Sequence, residues 1–234
     1  MSLEAQLGEF VLALPMLVFA MVAHEYAHGA AALSQGDDTA YMLGRLTLNP
    51  IPHIDPWMSL ILPGFLFWTT GGKFVFGGAK PVPVTPRKYR HYRRGDIIVS
   101  AAGVVTNLAI ALVSALLFVL LGLAAGAIPS AAGVLDTAQR MLTWSIWLNV
   151  LLCFFNLIPI PPLDGSHIFY HLLPARIGAA YRNLHRFGII PLLAIVFFFP
   201  RALGVLLTPA RVGLELLVGM IAPYQIGTGL GIFG

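Results

Sequence analysis

The amino-acid sequence predicts an all-α polytopic membrane protein with three core transmembrane helices, re-entrant and β-hairpin elements, and a C-terminal helix pair. Composition is the first reason: 58% of the 234 residues are hydrophobic, 10% are charged, and the mean hydropathy is +0.82. Soluble domains carry about 25% charged residues. The second reason is that the apolar residues are grouped in windows of roughly 20 residues, the length that crosses a bilayer as a helix.

Hydrophobic windows of this length mark the individual helices. Core helices are predicted at residues 7–33, 97–123 and 141–158, and the C-terminal pair at residues 187–207 and 212–222. The apolar segment at residues 57–70 is shorter and has Pro63 and Gly64 in its middle. Such a length is short for a crossing and typical of re-entrant elements, so we expect this segment to enter and leave on the same side.

Two polar stretches rich in proline and glycine, residues 44–56 and 71–86, lie between the windows. In the second stretch Pro81 and Pro83 alternate with valines. This pattern favours edge strands or extended chain and is the basis for the predicted β-hairpin elements.

The chain is expected to form a single membrane domain over residues 1–234, because no polar linker divides it. Its core is predicted at about residues 7–175, and the C-terminal helices at about residues 187–222. Glu4 and Glu9, and no basic stretch, accompany the start of the first apolar run. We therefore expect this run to stay as the first helix and not to be removed as a signal peptide.

The first predicted helix contains His24-Glu25-Tyr26-Ala27-His28, an HExxH pattern. Its two histidines are four residues apart, so they lie on one helical face and can share one zinc ion. In this arrangement the glutamate reaches the metal-bound water and takes its proton as general base. Two histidines and a glutamate within a membrane span are costly unless they serve a function.

Two histidines leave a catalytic zinc one protein ligand short. Cys153 is the single cysteine, so the third ligand must be His, Asp or Glu. The best candidate is Asp164, because the prolines within residues 159–162 break the preceding helix, and broken helices at membrane depth line cavities. His167 and His171 form a second pair at helical spacing and remain alternatives, as the third ligand or as a separate metal site.

The ligand positions also predict the topology. His24 and His28 lie towards the end of the first span, and Asp164 follows the span that begins at residue 141, so the ligands meet only if these two helices run parallel. One span lies between them, which requires the segment at residues 57–70 to be re-entrant. The positive-inside rule assigns the intervening basic loop to the cytoplasm, where its charges are Lys73, Lys80, Arg87, Lys88, Arg90, Arg93 and Arg94.

The sequence therefore predicts a multi-pass protein of the cell membrane with its N-terminus outside and its active site towards the cytoplasmic side. The basic loop explains the net charge of +4 by topology alone. Contact with anionic membrane lipids is compatible with it, and no nucleic-acid partner is needed.

The motifs together resemble those of the site-2 protease family of intramembrane zinc metalloproteases. The HExxH at residues 24–28 is followed by NLIPIPPLDG at residues 156–165, and GVVTN at residues 103–107 looks like the family's GPxxN element, with Val104 where proline is usual. Three more stretches look like the compact bacterial and archaeal branch: GRLTLNP at residues 44–50, HIDP at residues 53–56 and KPVPV at residues 80–84. The resemblance covers roughly residues 15–175, without a PDZ or CBS domain.

This resemblance implies zinc as cofactor and a specific set of site residues. The implied metal ligands are His24, His28 and Asp164, with Glu25 as catalytic base. Asn107 and Asn156 would lie near the substrate backbone, although either could equally form a hydrogen bond between helices. The implied partners are transmembrane proteins or peptides whose peptide bonds are cleaved in or near the membrane.

Two other functions fit the same residues less well. A metal or ion transporter would use His24, His28, Asp164 and His167 as a translocation site. Glu25 argues against this alternative, because a transporter needs ligands and has no need of a base three residues before the second histidine. A membrane scaffold without activity is disfavoured by the intact set of His, Glu and Asp residues.

Overall fold

The computed structural model describes residues 3–69 and 77–227, and ten α-helices lie within these ranges. The helices are α1 (Leu3–Gln35), α2 (Thr39–Met42), α3 (Leu62–Thr69), α4 (Tyr92–Ala127), α5 (Ala132–Asn156), α6 (Asp164–Leu172), α7 (Ala175–Arg182), α8 (Ile190–Phe198), α9 (Pro200–Leu206) and α10 (Thr208–Ile221). A π-helical segment, Pro56–Ile61, runs directly into α3. No strand occurs in the described ranges.

The three long helices coincide with the three windows predicted as core spans, except that α5 ends at Asn156, two residues before the end of its window. Two helical stretches within the described residues, Glu4–Gln35 and Tyr92–Ala127, are long and apolar enough to cross a membrane. The third helix, α5, begins nine residues before its predicted window and is more polar. It is buried between its neighbours along most of residues 143–153, which explains why polar side chains are tolerated there.

Side-chain contacts at both ends show that α1 and α5 run parallel. Glu9, near the start of α1, accepts a hydrogen bond from Trp144 in the first half of α5. At the other end, His28 of α1 approaches Asp164, which follows α5. The helix α4 runs antiparallel to both and packs beside them, so the chain brings the predicted ligands to one end of the bundle.

Small residues allow the three helices to pack closely. Ala13 and Ala20 of α1 are fully buried against Trp144 and Leu148 of α5. In membranes, small side chains at helix interfaces let the backbones approach and gain van der Waals contact. A separate apolar cluster joins α4 and α5 to α10, with Ala111, Ala115, Phe118, Ile146, Val150, Ala210 and Ile221 as its buried members.

The segment that was predicted to be re-entrant is helical from Pro56 to Thr69. Asp55 caps its start by accepting hydrogen bonds from the N–H groups of Trp57 and Met58, both at 2.9 Å. Gly78, in the next described range, lies beside the start of this helical segment, because its N–H donates to the carbonyl oxygen of Met58 at 2.9 Å.

The predicted strands are wrong for the described residues. The stretch around residues 80–84 is extended, but its N–H groups bind separate parts of the protein: Lys80 donates to the His53 carbonyl oxygen, Val82 to a Glu25 carboxylate oxygen and Thr85 to Asp37. Because Pro81 and Pro83 have no N–H, no regular ladder can form here. The part of the predicted hairpin at residues 71–76 lies outside the described residues.

The predicted C-terminal helix at residues 187–207 is also wrong as one element, because it is divided into α8 and α9. The break lies at Phe199, which has φ −131° and ψ 53°, and is followed by Pro200. A proline lacks the N–H of a helical ladder and forces the preceding residue out of helical conformation. The second predicted helix is present as α10.

Candidate metal centre

The two histidines of the HExxH pattern point the same way from the last third of α1. Their rings are edge to face, with centroids 4.5 Å apart, and their Nε2 atoms are 2.9 Å apart. His24 is buried and His28 is nearly so. This is the geometry expected for residues four apart on one helical face.

Asp164 is brought to the histidines by the sharp turn after α5. The helix α5 ends at Asn156, the prolines after it cannot continue the helical ladder, and α6 begins with Asp164 itself. The residue after it must be glycine, because a Cβ on Gly165 would collide with the carbonyl group of Leu157. As a result the Asp164 Oδ2 atom lies 3.2 Å from Nε2 of His24 and 3.3 Å from Nε2 of His28.

The outer nitrogens of both histidines are held by oxygen acceptors. The Nδ1 atom of His24 is 2.6 Å from Oδ1 of Asn107, and the Nδ1 atom of His28 is 2.7 Å from the Val99 carbonyl oxygen. A carbonyl oxygen can only accept, so in each neutral ring Nδ1 carries the proton and Nε2 presents a lone pair. Partners of this kind orient the metal-binding histidines of many metalloproteins.

Three electron-pair donors therefore face one another. The buried Oδ2 atom of Asp164 accepts no hydrogen bond from any described residue. A proton shared among the three atoms would satisfy two of them, whereas a cation satisfies all three. Ligands about 2.0–2.1 Å from a tetrahedral ion stand roughly 3.3 Å apart, which is close to the observed separations, so the residues fit zinc. They are the one group of three or more such residues, within the described ranges, whose ligand atoms converge.

Gly103 of α4 makes room for both imidazole rings. A Cβ at this position would lie 2.5 Å from Cε1 of His24 and 2.6 Å from Nε2 of His28, closer than real Cβ contacts. The glycine of the GVVTN stretch is thus required by the packing of α4 on the ligands. Val104, the departure from the family pattern, is buried beside it in an unbroken helix.

Glu25 lies next to the ligands and contacts the extended segment. Its Oε2 atom accepts a hydrogen bond of 2.6 Å from the N–H of Val82. This contact joins the predicted base to a residue 57 positions away along the chain.

The extended segment is itself fixed to the end of α1. The buried carboxylate of Asp37 accepts hydrogen bonds from the backbone and hydroxyl of Thr39 and from the backbone of Thr85. Two residues before it, the Gln35 carbonyl oxygen accepts a 2.9 Å hydrogen bond from the N–H of Arg90. These contacts hold the segment across the metal-ligand end of the bundle.

The alternative ligands, His167 and His171, lie around a different carboxylate. Nε2 of His171 is 2.7 Å from one oxygen of the buried Asp96, and Nδ1 of His167 is 3.6 Å from the other oxygen. Their contacts join α6 to α4. Of the candidates for a third ligand, Asp164 is the one whose ligand atom converges with His24 and His28.

The two asparagines named as substrate-binding residues have contacts within the protein. Asn107 is fully buried and its carboxamide contacts His24, Asn149 and the Ala20 carbonyl oxygen. For Asn107 these contacts match the alternative given above, in which it forms hydrogen bonds between helices. Asn156 donates to the Leu152 carbonyl oxygen in its own helix, at 3.0 Å. Their roles towards a substrate remain predictions.

Sequence reasoning missed two groups near the site. One contacts Glu25 directly, and the other contacts His24 through Asn107. One is the N–H of Val82, which no sequence pattern could reveal because a backbone group carries no residue signature. The other is Asn149, a fully buried carboxamide in an apolar stretch of α5. A polar residue within a predicted membrane span is a signal of function in its own right, and this signal was available in the sequence.

A helical bundle with membrane-length apolar helices and a buried centre of two histidines and an aspartate beside a glutamate defines a class, the membrane-embedded metalloproteases. The chain belongs to peptidase family M50, the site-2 protease family, whose sequence model matches residues 11–199. It is therefore a metalloprotease of the site-2 protease type, and its cofactor is zinc. The family gives no support to the transporter alternative.

Similar proteins are found in several bacteria. The chain is 38% identical over 179 residues to YwhC of Bacillus subtilis (strain 168), covering 76% of this chain and 77% of that protein. It is 34% identical to Rip2 of Mycolicibacterium smegmatis, covering 68% of this chain and 56% of that protein, and 32% identical to Rip2 of Mycobacterium tuberculosis H37Rv, covering 73% and 61%. The names of these relatives designate them zinc metalloproteases. No solved structure matches this chain.

Proposed function

We propose that the protein hydrolyses peptide bonds in or near the transmembrane segments of other membrane proteins, with His24, His28 and Asp164 as zinc ligands and Glu25 as general base. The observation that carries the proposal is the convergence of the two Nε2 atoms and the aspartate oxygen within 3.3 Å of one another. A glutamate one residue after the first ligand is what distinguishes a hydrolytic centre from a site that only binds metal.

Each residue has a distinct task in this mechanism. Zinc, when bound, acts as a Lewis acid that acidifies water and polarises the scissile carbonyl group. Glu25 takes the proton of the attacking water and passes it to the leaving amine, so no covalent intermediate with the protein is formed. The N–H of Val82 holds one oxygen of this carboxylate and leaves the other to accept the proton.

A substrate must reach this centre in a locally unwound form, because a peptide bond in a transmembrane helix is shielded by its own hydrogen-bonded backbone. We propose that the extended stretch at residues 80–84 pairs with the unwound chain by strand addition, in which its carbonyl oxygens accept from the N–H groups of the substrate, because Pro81 and Pro83 have no N–H to donate. Asn156, at the end of α5, is proposed to hold a backbone group of the substrate, with Asn107 as the second such residue.

The proposed topology has the N-terminus outside, α1, α4 and α5 crossing, and the metal centre towards the cytoplasm. The parallel directions of α1 and α5 support this arrangement, as does the return of Gly78 to Met58. If the segment at residues 57–70 crossed the membrane, α1 and α5 would have opposite directions and their ligands could not meet.

Glu25→Gln tests the chemistry. The substitution removes the base and keeps all three ligands, so we expect cleavage of single-pass substrates to fall to background while zinc content is unchanged. Glu4→Gln, an exposed change on the same helix, is the matched control and should alter neither quantity. Retained cleavage in Glu25→Gln would remove the assignment of the general base, and loss of zinc would show that Glu25 is a ligand.

Single cysteines test the topology. In a Cys153→Ala background, Gln35→Cys and Arg90→Cys should react with a membrane-impermeant thiol reagent from the cytoplasmic side only. Ser130→Cys, in the exposed turn between α4 and α5, should react from the outside. Labelling of positions 35 and 130 from the same side would contradict the proposed crossings.

A further inference from the structure

A row of buried hydrogen bonds leads from the metal centre into the interface between α4 and α5. Oδ1 of Asn107 binds the His24 ring, and its amide nitrogen donates to Oδ1 of Asn149 at 2.8 Å. The amide nitrogen of Asn149 in turn donates to the Ser145 carbonyl oxygen at 2.8 Å. Both asparagine side chains are fully buried.

The last member of this row determines the direction of every bond before it. A backbone carbonyl oxygen can only accept, so Asn149 must turn its amide nitrogen to Ser145 and its oxygen to Asn107. Asn107 must then turn its own amide nitrogen to Asn149 and to the Ala20 carbonyl oxygen, 3.4 Å away. Its oxygen is left facing His24, whose Nδ1 must carry the proton.

We infer that Asn149 is a positioning residue for the metal centre, which sets the tautomer and ring orientation of His24 through Asn107. The inference rests on the proposed role of His24 as a zinc ligand. A neutral imidazole with its proton on Nδ1 has the lone pair of Nε2 ready for a metal, whereas the other tautomer would direct an N–H at it. Asn149 touches neither metal nor substrate and acts through its neighbour.

In His28, the other proposed zinc ligand, the proton is held on Nδ1 by a single direct hydrogen bond. Nδ1 of His28 binds a backbone carbonyl oxygen, that of Val99, without an intermediate side chain. A carboxamide alone could present either its oxygen or its nitrogen to His24. The second carboxamide removes this freedom, because it is anchored to a group that has no donor.

Because the two carboxamides are buried, their hydrogen bonds cannot be replaced by bonds to water. No described atom of either carboxamide is exposed to solvent, and hydrocarbon offers no alternative hydrogen-bond partner. If Asn149 loses its side-chain oxygen, the amide nitrogen of Asn107 keeps a partner only at Ala20, and the opposite orientation of Asn107 becomes competitive.

Asn149→Leu tests the inference, because leucine has a similar size and no hydrogen-bonding group. We expect zinc affinity, measured by competition with a chromophoric chelator, to fall roughly three- to tenfold. Loss of a group that binds a ligand directly costs about 10–100-fold, and Asn149 is one residue further away. In the metal-free protein, ¹⁵N spectra of labelled histidine should show His24 partly protonated on Nε2, with assignment by a His24→Gln variant.

Two further variants separate positioning from packing. Ser114→Ala removes another buried hydrogen bond between the same helices, a 2.8 Å contact with the hydroxyl of Ser145, and should leave zinc affinity and the His24 spectrum unchanged. Asn149→Asp should restore both properties, because a neutral carboxyl group, the form that burial favours, can donate to Ser145 and accept from Asn107. It also serves as the test variant if Asn149→Leu fails to fold.

An unchanged His24 spectrum in Asn149→Leu would overturn the inference, as would equal losses of zinc affinity in Asn149→Leu and Ser114→Ala. Failure of Asn149→Asp to restore the spectrum would overturn it as well. The proposed function can fail separately from this inference. If the single variant His24→Gln kept its zinc, His24 would not be a zinc ligand. The spectra of the metal-free protein would still show whether Asn149 sets the tautomer of His24.

Discussion

The two ends of the α1–α5 helix pair both hold a largely buried carboxylate against nitrogen-bearing side chains, and they differ in where the protons are. At the first end, Glu9 accepts from the guanidinium group of Arg140 and from the indole N–H of Trp144. At the other end, Asp164 faces two histidine nitrogens whose protons are on the far side of the rings. The first carboxylate is satisfied by donors within the protein, whereas the second faces two nitrogen lone pairs and would be satisfied by the proposed zinc ion.

This difference explains how one helix pair can carry a structural contact at one end and a candidate metal centre at the other. Arginine and tryptophan side chains can only donate, so they satisfy the Glu9 carboxylate without a further ligand, and these hydrogen bonds join α1 to α5. Histidine is a donor or an acceptor depending on its neighbours, and the neighbours of His24 and His28 make both rings acceptors towards the centre. The burial of a carboxylate in a membrane helix therefore does not by itself indicate a metal site.

The largest effect is expected from breaking the metal-ligand end with Asp164→Ala. Zinc affinity should fall by more than roughly a hundredfold, because loss of a direct ligand exceeds the loss caused by its outer partners, and cleavage should fall with it. Zinc content of the purified protein and cleavage of a single-pass substrate measure the two losses. His167→Ala should retain zinc, and the reverse result would mean that the third ligand is misassigned.

Glu9→Ala is the corresponding change at the other end of the same helices. It leaves Arg140 and Trp144 without their acceptor and should lower the free energy of unfolding by about 2 kcal/mol, with zinc affinity retained. Thermal unfolding in detergent, followed by circular dichroism, measures the loss. Weaker zinc binding at unchanged stability would contradict the distinction between the two ends.

A smaller loss of zinc is expected from Gly103→Ala. The added methyl group overlaps both imidazole rings, so α4 must move away or the rings must rotate, and zinc affinity should fall about tenfold. Gly126→Ala on the same helix is the matched control, since a Cβ there meets nothing within 4 Å. Equal zinc affinities of the two variants, determined by chelator competition, would show that α4 does not constrain the ligands.

The smallest effect concerns the buried carboxylate of Asp37, which, like that of Glu9 and unlike that of Asp164, is satisfied by hydrogen-bond donors. Burial raises its pKa, but hydrogen bonds from Thr39 and Thr85 outweigh burial and hold the pKa of Asp37 below its ordinary value. The unfolded pKa is about 3.9. The stabilisation is therefore fully present above that pH and is lost as pH falls through the lower folded value, so it is constant between pH 5 and 8.

Asp37→Asn should loosen the extended segment that carries Val82. We expect roughly threefold lower kcat/KM at neutral pH with full zinc content, equivalent to losing about one hydrogen bond of 0.5–1 kcal/mol. The neighbouring Asp38→Asn is the control, because its ion pair with Lys88 is exposed and contributes little. A loss of zinc in Asp37→Asn, or the same activity loss in both variants, would contradict this role.

Local patterns in the sequence were sufficient to identify the long helices and the three residues whose ligand atoms meet. The HExxH pattern depends only on helical spacing, and the prediction of Asp164 depends on a cluster of prolines within residues 159–162, whose missing N–H groups cannot continue the helix before it. The same local reasoning was wrong in part at residues 80–84, where alternating prolines predicted edge strands or extended chain, and the chain is extended but does not pair as a strand with any described residue. Whether extended chain pairs as a strand depends on its neighbours, and here they are the side chains of Glu25 and Asp37 and the backbone of His53.

The sequence by itself determined that this chain enters a membrane and carries the residues of a zinc protease, because hydropathy and spacing are properties of nearby residues. Only the tertiary structure decided which groups hold those residues in place. His24 and Asn107 are 83 positions apart, and Asn107 and Asn149 are 42 apart. Such contacts arise from the packing of α1, α4 and α5, and no periodicity within one helix encodes them.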